Sequence, residues 1–411
     1  MNRAITIILC LISVFLYANP LMAQLESNPF AVYEMTTENN NFVGARAAGM
    51  GGAQIAAGDD GSTIWYNPAL LCRIRRIELS GGLSHQRFFN NTTFDGVNAN
   101  QAQLNNTRLS SVWGVFPVPV EQGGLSFALA ANRIKSFDRI FRFEDKTGWL
   151  ENPDGYGIGG GEDDKGGLWV YSGGMGIELS RHTAVGIALD LYGGHDNYSY
   201  IEEESTDSSS SSLRGELKDS YTGYSARVGL AFSKNPNFHF GATIKFPTSI
   251  TVEQNEWPDY GKYKYTLPFS FGVGSMVVIR DLLITGDVYY TDYTQLEYSS
   301  GVDLTDANSD VKRYYKDVIT WHAGVEYFIP SWGFTMRAGY ARDPIPYTYF
   351  PIDNELDVLT AGFGFLLDKT LKLDFAVNLM DWTRQDPGFR GIGTIEKYEA
   401  QRAFLGITYR I

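Results

Sequence analysis

Cysteine is almost missing from this sequence: the 411 residues hold two, Cys10 and Cys72. Cys10 lies inside an N-terminal apolar run, so a processed chain keeps Cys72 alone and has no internal disulfide to hold it together. Histidine is scarce too, with five residues (His85, His182, His195, His239 and His322) that show no H-E-x-x-H or other metal-ligand spacing. A G-x-S-x-G elbow is also absent, since Gly223-Tyr224-Ser225-Ala226-Arg227 lacks the second glycine. These absences read as a protein that is not an enzyme and uses no metal and no cofactor. A lipase that assembles a Ser/His pair across strands without a motif is the enzymatic alternative. Basic residues number 34 against 47 acidic ones, a formal charge of −13, which argues against nucleic acid as a partner because a phosphate backbone selects basic surfaces. After Ala23 no stretch approaches 18 uninterrupted apolar residues, so spanning helices are not expected and a membrane role would have to use strands.

What the chain does have is ring and glycine: 8 Trp, 25 Tyr, 25 Phe and 44 Gly. A disordered chain would lack the aromatics, and a soluble helical protein would carry more charge and fewer glycines, so the composition favours β-structure. At the N-terminus Arg3, the apolar run from Ile5 to Tyr17, and Asn19-Pro20 before Met22-Ala23 read as a secretory signal peptide over residues 1–23. The apolar run is too short for the ~20 residues of a spanning helix.

Period-two alternation is the strongest pattern in the remainder. Leu371, Leu373, Phe375, Val377 and Leu379 alternate with Lys372, Asp374, Ala376 and Asn378. The same dyad recurs around 185–191, 238–245, 319–327 and 403–411. A soluble sandwich and a membrane barrel share that dyad, but they differ in their connections. About fourteen strands can be marked, and their joints alternate between short turns (119–123, 180–183, 234–237, 280–281, 330–332 and 368–369) and long polar segments (86–106, 136–166, 201–218, 299–313, 343–355 and 384–395). Long loops gathered at one end are the asymmetry of an outer-membrane β-barrel. The chain ends on an amphipathic strand with Gly406, Tyr409 and Ile411, a partial match to what the barrel-assembly machinery reads, so that machinery and outer-membrane lipid are expected partners. Trp113, Phe116, Phe328 and Trp332 fall near the short turns, where an interfacial aromatic girdle is expected. Glu202 to Ser212 reads as a solvated acidic loop, and Gly159 to Gly161 with Glu162, Asp163 and Asp164 lacks EF-hand spacing.

Residues 24–72 are small-residue-rich and not strand-like, with Gly44-Ala45-Arg46-Ala47-Ala48-Gly49-Met50-Gly51-Gly52, then Asp59-Asp60, then Trp65-Tyr66-Asn67-Pro68-Ala69. The spacing Gly49, Gly51, Gln54 breaks a dinucleotide fingerprint. Gly and Ala let backbones approach closely, and a barrel of about fourteen strands is too wide for its own side chains to fill. Residues 24–72 therefore read as a hatch inside an all-β barrel of residues 73–411.

These segments, in this order, resemble the FadL/TodX-type outer-membrane transporters of long-chain fatty acids and other hydrophobic compounds. The resemblance implies a monomeric 14-stranded transmembrane barrel whose N-terminal hatch gates the lumen. Its gate would include Gly44, Arg46, Gly49, Met50, Gly51, Gly52, Asp59, Asp60, Asn67, Pro68 and Ala69. A hydrophobic ligand would enter from outside by passive uptake and leave sideways at a distorted third strand, here about Gly124 to Ile140. The loops that form the family's outer groove are short or simple here, so capture is expected in 136–166, with Phe137, Phe141, Phe143, Trp149 and Tyr156. PorV-type components of a protein-secretion system look similar, and in that alternative the barrel would hold exported proteins. The lumenal charges Asp190, Arg227, Lys245, Asp287, Glu326, Arg337 and Asp374 are expected to pair with one another or with the hatch.

Overall fold

A computed structural model describes residues 42–94, 97–144, 157–205, 210–254, 261–301, 304–348, 355–368, 370–389 and 392–411. The signal segment 1–23 and residues 24–41 lie outside the described residues.

The chain forms a closed barrel of fourteen antiparallel strands. In chain order these are β1 (Glu78–Phe94), β2 (Val97–Val118), β3 (Leu125–Ser136, then Arg139–Glu144), β4 (Gly157–Ser180), β5 (Thr183–Ser205), β6 (Ser210–Asn235) and β7 (Phe238–Lys245, then Thr248–Gln254). They continue with β8 (Lys262–Leu267, then Ser270–Ile279), β9 (Leu282–Asp292, then Glu297–Ser300), β10 (Asp317–Ile329), β11 (Phe334–Pro344), β12 (Glu355–Leu366), β13 (Leu371–Phe389) and β14 (Ile392–Arg410). Each strand pairs with its sequence neighbour, and β1 closes on β14 from Glu78↔Arg410 to Phe94↔Thr394.

The alternation that marks the strands also sets their phase. On β5 Ile187, Leu189 and Leu191 face outward while Ala188 and Asp190 are buried. Phe238, Phe240 and Ile244 on β7, Val325 and Tyr327 on β10, and Val377 and Leu379 on β13 do the same. This continuous apolar belt is the face that meets lipid. At one end the turns are tight: Gly333 takes a left-handed φ of 59° after Pro330–Trp332, and the Asp368 carboxylate accepts from Thr370 N and Leu371 N. Phe116, Phe328 and Trp332 are exposed near this rim, as a girdle requires, but Trp113 is not. It is buried in the lumen and its indole donates to Glu78 Oε1 at 3.1 Å. A register shift in the β1/β2 ladder at Gly82/Leu83 reverses the phase of β2, and Val112 takes the outward place instead.

Several expected long loops are strands. The ladders of β1/β2, β4/β5, β5/β6 and β13/β14 run well past the apolar belt through residues 86–94 and 97–106, 157–166, 201–205 and 210–218, and 384–389 and 392–395. In the joint after β9 the chain instead forms a helix, α3 in the numbering below (Leu304–Tyr314), with Ala307 and Val311 buried one turn apart.

The lumen is filled. Near the short-turn end lie residues 42–74, the described part of the expected hatch, with helix α1 (Ala45–Ala48), helix α2 (Thr63–Tyr66) and a 3₁₀ turn (Pro68–Arg73). Toward the hairpin end lies a tyrosine-rich core of Tyr221, Tyr263, Tyr265, Tyr298, Tyr315 and Tyr347, onto which α3 packs. Asn308 of that helix accepts from Tyr298 N at 2.8 Å and donates to Tyr298 O at 3.0 Å. A second core, with Phe88, Trp382, Tyr398 and Phe404, lines β1 and β11 to β14.

The outward phase gives a direct check. Leu189 is 62% exposed in the middle of the belt, so Leu189→Arg is expected to destabilise the barrel in lipid vesicles by about 2–4 kcal/mol, read from denaturant refolding curves. The same change at a hairpin position beyond the belt should cost little.

Candidate functional site

The hatch fits because facing glycines remove the wall side chains it would strike. Gly51 has φ +61° and its backbone lies against Tyr340 of β11, while a Cβ on neighbouring Gly339 would overlap Gly51 N and Met50 C. Across the lumen a Cβ on Gly186 of β5 would overlap the Pro68 carbonyl, and one on Gly229 of β6 would overlap Asn67 Oδ1. Asn-Pro-Ala therefore occupies space that the wall leaves empty. Asn67 makes three bonds: Nδ2 donates to Ile55 O (2.8 Å) and to Leu230 O of β6 (3.0 Å), and Oδ1 accepts from Ala69 N (3.1 Å). The amide thus folds the hatch on itself and fastens it to the wall.

Further fasteners run around the barrel. Asp287 Oδ2 of β9 accepts from Gln54 N (2.6 Å) and Ile55 N (2.9 Å). Glu78 Oε1 of β1 accepts from Gly61 N (2.8 Å), Thr360 Oγ1 of β12 from Gly51 N (3.0 Å), and Arg227 of β6 donates to Ile64 O (2.8 Å).

One fastener is ionic. Arg46, 2% exposed, donates through Nε and Nη2 to both oxygens of Glu326 on β10 (3.0 and 3.2 Å), and through Nη1 to Gln54 Oε1 and Ala57 O. Asp59 reaches Arg46 at 3.2 Å. Glu326 also takes Arg337 Nε of β11 (2.7 Å), Arg337 reaches Asp374 of β13 (2.8 Å), and Lys372 lies 3.4 Å from Asp374. Charges withdrawn from water need such pairing on every side, and a planar guanidinium satisfies two carboxylate oxygens at once.

The expected gate residues come together. Gly44 (φ +88°) and Gly52 (φ +77°) shape the turns around α1, Gly49 lies against Gly362 of β12, and Met50 packs its carbonyl on Gly324 of β10. Asp60 is turned inward and accepts from Ser62 N at 3.0 Å. Asp59 is half exposed, and its carbonyl accepts from Arg410 at 3.2 Å. Cys72 is buried, its thiol facing Ala69 O at 3.0 Å, and burial pushes the thiol up to about 11.

The third strand breaks at Phe137-Asp138. Its register with β2 ends at Ser111↔Asn132, so among the described residues β2 from 97 to 110 is laddered to β1 alone. Beyond the break Arg139–Glu144 pairs with β4 and turns into the lumen, where Ile140 packs on the second core and its carbonyl accepts from Asn90 at 3.2 Å. Asp138 holds the corner: Ser136 Oγ donates to it (2.8 Å), as do Arg133 of β3 (3.0 Å) and Arg108 of β2 (3.0 Å). The Arg108 contact joins β2 to β3 beyond the end of their ladder. No sequence motif marks this corner, though Ser-Phe-Asp offers side-chain acceptors that compete with a ladder.

The expected capture residues are placed differently from an outer loop. Phe137 and Phe141 are 8% and 9% exposed, turned inward where the strand bends, and Phe137 stacks on Tyr221 at 5.1 Å. Phe143 lies on the strand after the break, and Trp149 and Tyr156 fall outside the described residues. The glycine-acidic stretch of β4 is engaged in ion pairs, with Arg142 on Asp163 at 2.8 Å.

Comparison with solved structures rests on this whole arrangement. A Pseudomonas aeruginosa FadL homologue superposes with a TM-score of 0.66 at 13% identity, over 90% of this chain and 99% of that one. The barrel has the FadL-type fold. The P. putida toluene transporter TodX (TM-score 0.62, 12% identity) and the Ralstonia pickettii toluene transporter TbuX (0.56, 14%) each match over 90% of this chain and 98% of theirs. No protein-family model matches the chain, and no curated relative matches it. Similarity to the FadL fold thus survives in backbone geometry after the sequences have diverged.

The ionic fastener predicts a graded response. Glu326→Leu leaves Arg46 and Arg337 buried together and should cost about 3–5 kcal/mol, whereas Arg46→Met leaves Glu326 paired with Arg337 and should cost less. Both variants should keep the barrel closed on itself yet raise ion conductance in planar bilayers, Glu326→Leu more. Unchanged conductance in both would remove the network from any gating role.

Proposed function

We propose that this protein is an outer-membrane channel for the passive uptake of hydrophobic compounds, long-chain fatty acids among them, with the hatch as gate and lateral release at β3. The observation that carries this reading is the combination of a fastened hatch with a β2 edge that, among the described residues, is laddered to β1 alone from 97 to 110. A straight path to the short-turn end is occupied by residues 42–74, whereas the β2/β3 ladder ends at Ser111↔Asn132, short of the Phe137-Asp138 break. The aromatic cores above the hatch suit an apolar solute, which gains roughly 25 cal/mol per Å² on leaving water, so the concentration gradient suffices as driving force. TodX and TbuX, similar in fold, are toluene transporters.

In this account residues 24–72 form the hatch and the gate is Gly44 to Gly52, Asp59-Asp60 and Asn67 to Ala69. Phe137 and Phe141 line the route inside the mouth. The chain is exported by its signal segment, inserted by the barrel-assembly machinery and works as a monomer, without catalysis.

Uptake of labelled oleate and labelled toluene by cells with and without the protein tests the reading. A protein-dependent rise in the initial rate for at least one of them is expected. Unchanged uptake of both, together with failed export of secreted cargo, would instead assign the barrel to a secretion system of the PorV type.

A further inference from the structure

The outer face of β4, β5 and β6 is graded in a way that contact with lipid tails alone does not require. Cross-strand register sets its side chains in rows. Tyr171, Leu191 and Tyr224 form one row at the upper edge of the belt, each more than half exposed. Trp169 stands one row higher, beside Gly193 and Thr222, and the row above that holds His195 beside Ser220. Next comes Lys165↔Asn197↔Lys218, with Lys165 and Asn197 exposed. Two strand spacings set the backbones of the two lysines about 10 Å apart.

This row is basic in a chain whose net charge is −13, and the carboxylates beside it are already engaged. Asp163, one row higher, takes both of its oxygens to Arg142 Nη2 (2.9 and 2.8 Å). Glu216 lies 3.6 Å from Lys218, with side chains 66% and 44% exposed, and a pair so open to water is weak. Lys165 makes no ion pair among the described residues. Between the lysines and the aromatic rows the wall is bare, because a Cβ on Gly193 would meet only the Tyr171 ring, at 3.6 Å. Height adds a constraint on what fits. From Trp169 to Lys165 is about 13 Å along a strand tilted by about 40°, or about 10 Å of rise, against roughly 5–8 Å for the polar layer of an ordinary bilayer leaflet.

From this we infer that the outer face of β4 to β6 binds a phosphorylated glycolipid of the outer leaflet, whose head is taller and wider than a glycerophosphate. Its phosphates would meet Lys165 and Lys218, which serve as point charges, and its sugar would lie over Gly193 within reach of Asn197 and His195. Its acyl chains would run down past Trp169 to Tyr171, Leu191 and Tyr224, aromatic side chains being suited to the boundary between head and tail. The inference rests on the outer-membrane placement of the barrel, with its hairpins outside the cell. It concerns the lipid side of the wall and is independent of which solute crosses the lumen.

Native mass spectrometry of the full-length barrel in neutral detergent tests it, with titrations of diphosphoryl lipid A, its monophosphoryl form and phosphatidylglycerol. The diphosphoryl lipid should bind one to a barrel and in preference to the other two. Lys165→Gln should weaken it about fivefold and Lys165→Gln with Lys218→Gln about thirtyfold, the worth of one and of two basic residues at an anionic lipid surface. Lys262→Gln, a charge change on β8 away from this face, should leave binding as it is. Equal binding of diphosphoryl lipid A and phosphatidylglycerol, or lysine variants that bind as the wild type does, would overturn the site, and neither result bears on the channel reading. If the double variant fails to fold by heat-shifted gel migration, Lys165→Gln decides the matter by its own ratio to the wild type.

Discussion

Everything in this molecule follows from the width of its lumen. Fourteen strands enclose more space than wall side chains can fill, so part of the chain has to fold inside and the wall has to make room for it. The two requirements meet at glycine. Gly51 against the Tyr340 backbone, Gly339 against Met50, and Gly186 and Gly229 against Pro68 and Asn67 are places where backbone packs on backbone. Such contacts leave no room for water and expose peptide groups that need partners, which Asp287, Glu78, Thr360 and Asn67 supply.

Close packing alone does not orient a plug, because small residues slide. Orientation comes from directional groups, above all the Arg46–Glu326–Arg337–Asp374 chain, which ties α1 to three strands on one side while Asn67 and Arg227 tie α2 and its successor to β6 on the other. On the proposed reading, with both sides held, a greasy solute leaves through the wall at β3. There a single carboxylate, Asp138, joins Arg133 of β3 to Arg108 of β2.

Much of the barrel was legible in the sequence for a physical reason: lipid on one face imposes period two, and every strand crossing it carries that period. The legibility ended where the lipid ends. Beyond Gln86 the inward face of β1 carries Gln86, Asn90 and Thr92 beside Phe88, so apolar alternation disappears, and ladders there and in β6 from Ser210 read as loops. Trp113 was assigned to the rim because its distance from the turn is right, but the shifted register at Gly82 turned it inward. In the hatch, Gly44 to Gly52 and Asn67 to Ala69 announced close packing through residue size. That Glu326, Arg337 and Asp374 face the lumen followed from strand phase, yet their joining with Arg46 depends on a register between segments 280 residues apart. The Asp138 corner left no comparable trace, since a Ser-Phe-Asp triplet carries no distinctive spacing.

The claim that solutes leave through the wall is tested most directly by tying the opening shut. With Arg108 and Asp138 both replaced by cysteine, a short reducible bis-thiol linker would join β2 to β3 across the opening. The native Cys72, 1% exposed and with its thiol held protonated by burial, should not compete for the reagent. The account predicts that linking abolishes uptake of hydrophobic solute and that reduction restores it. Uptake that continues at the unlinked rate would contradict lateral release and direct attention back to the hatch.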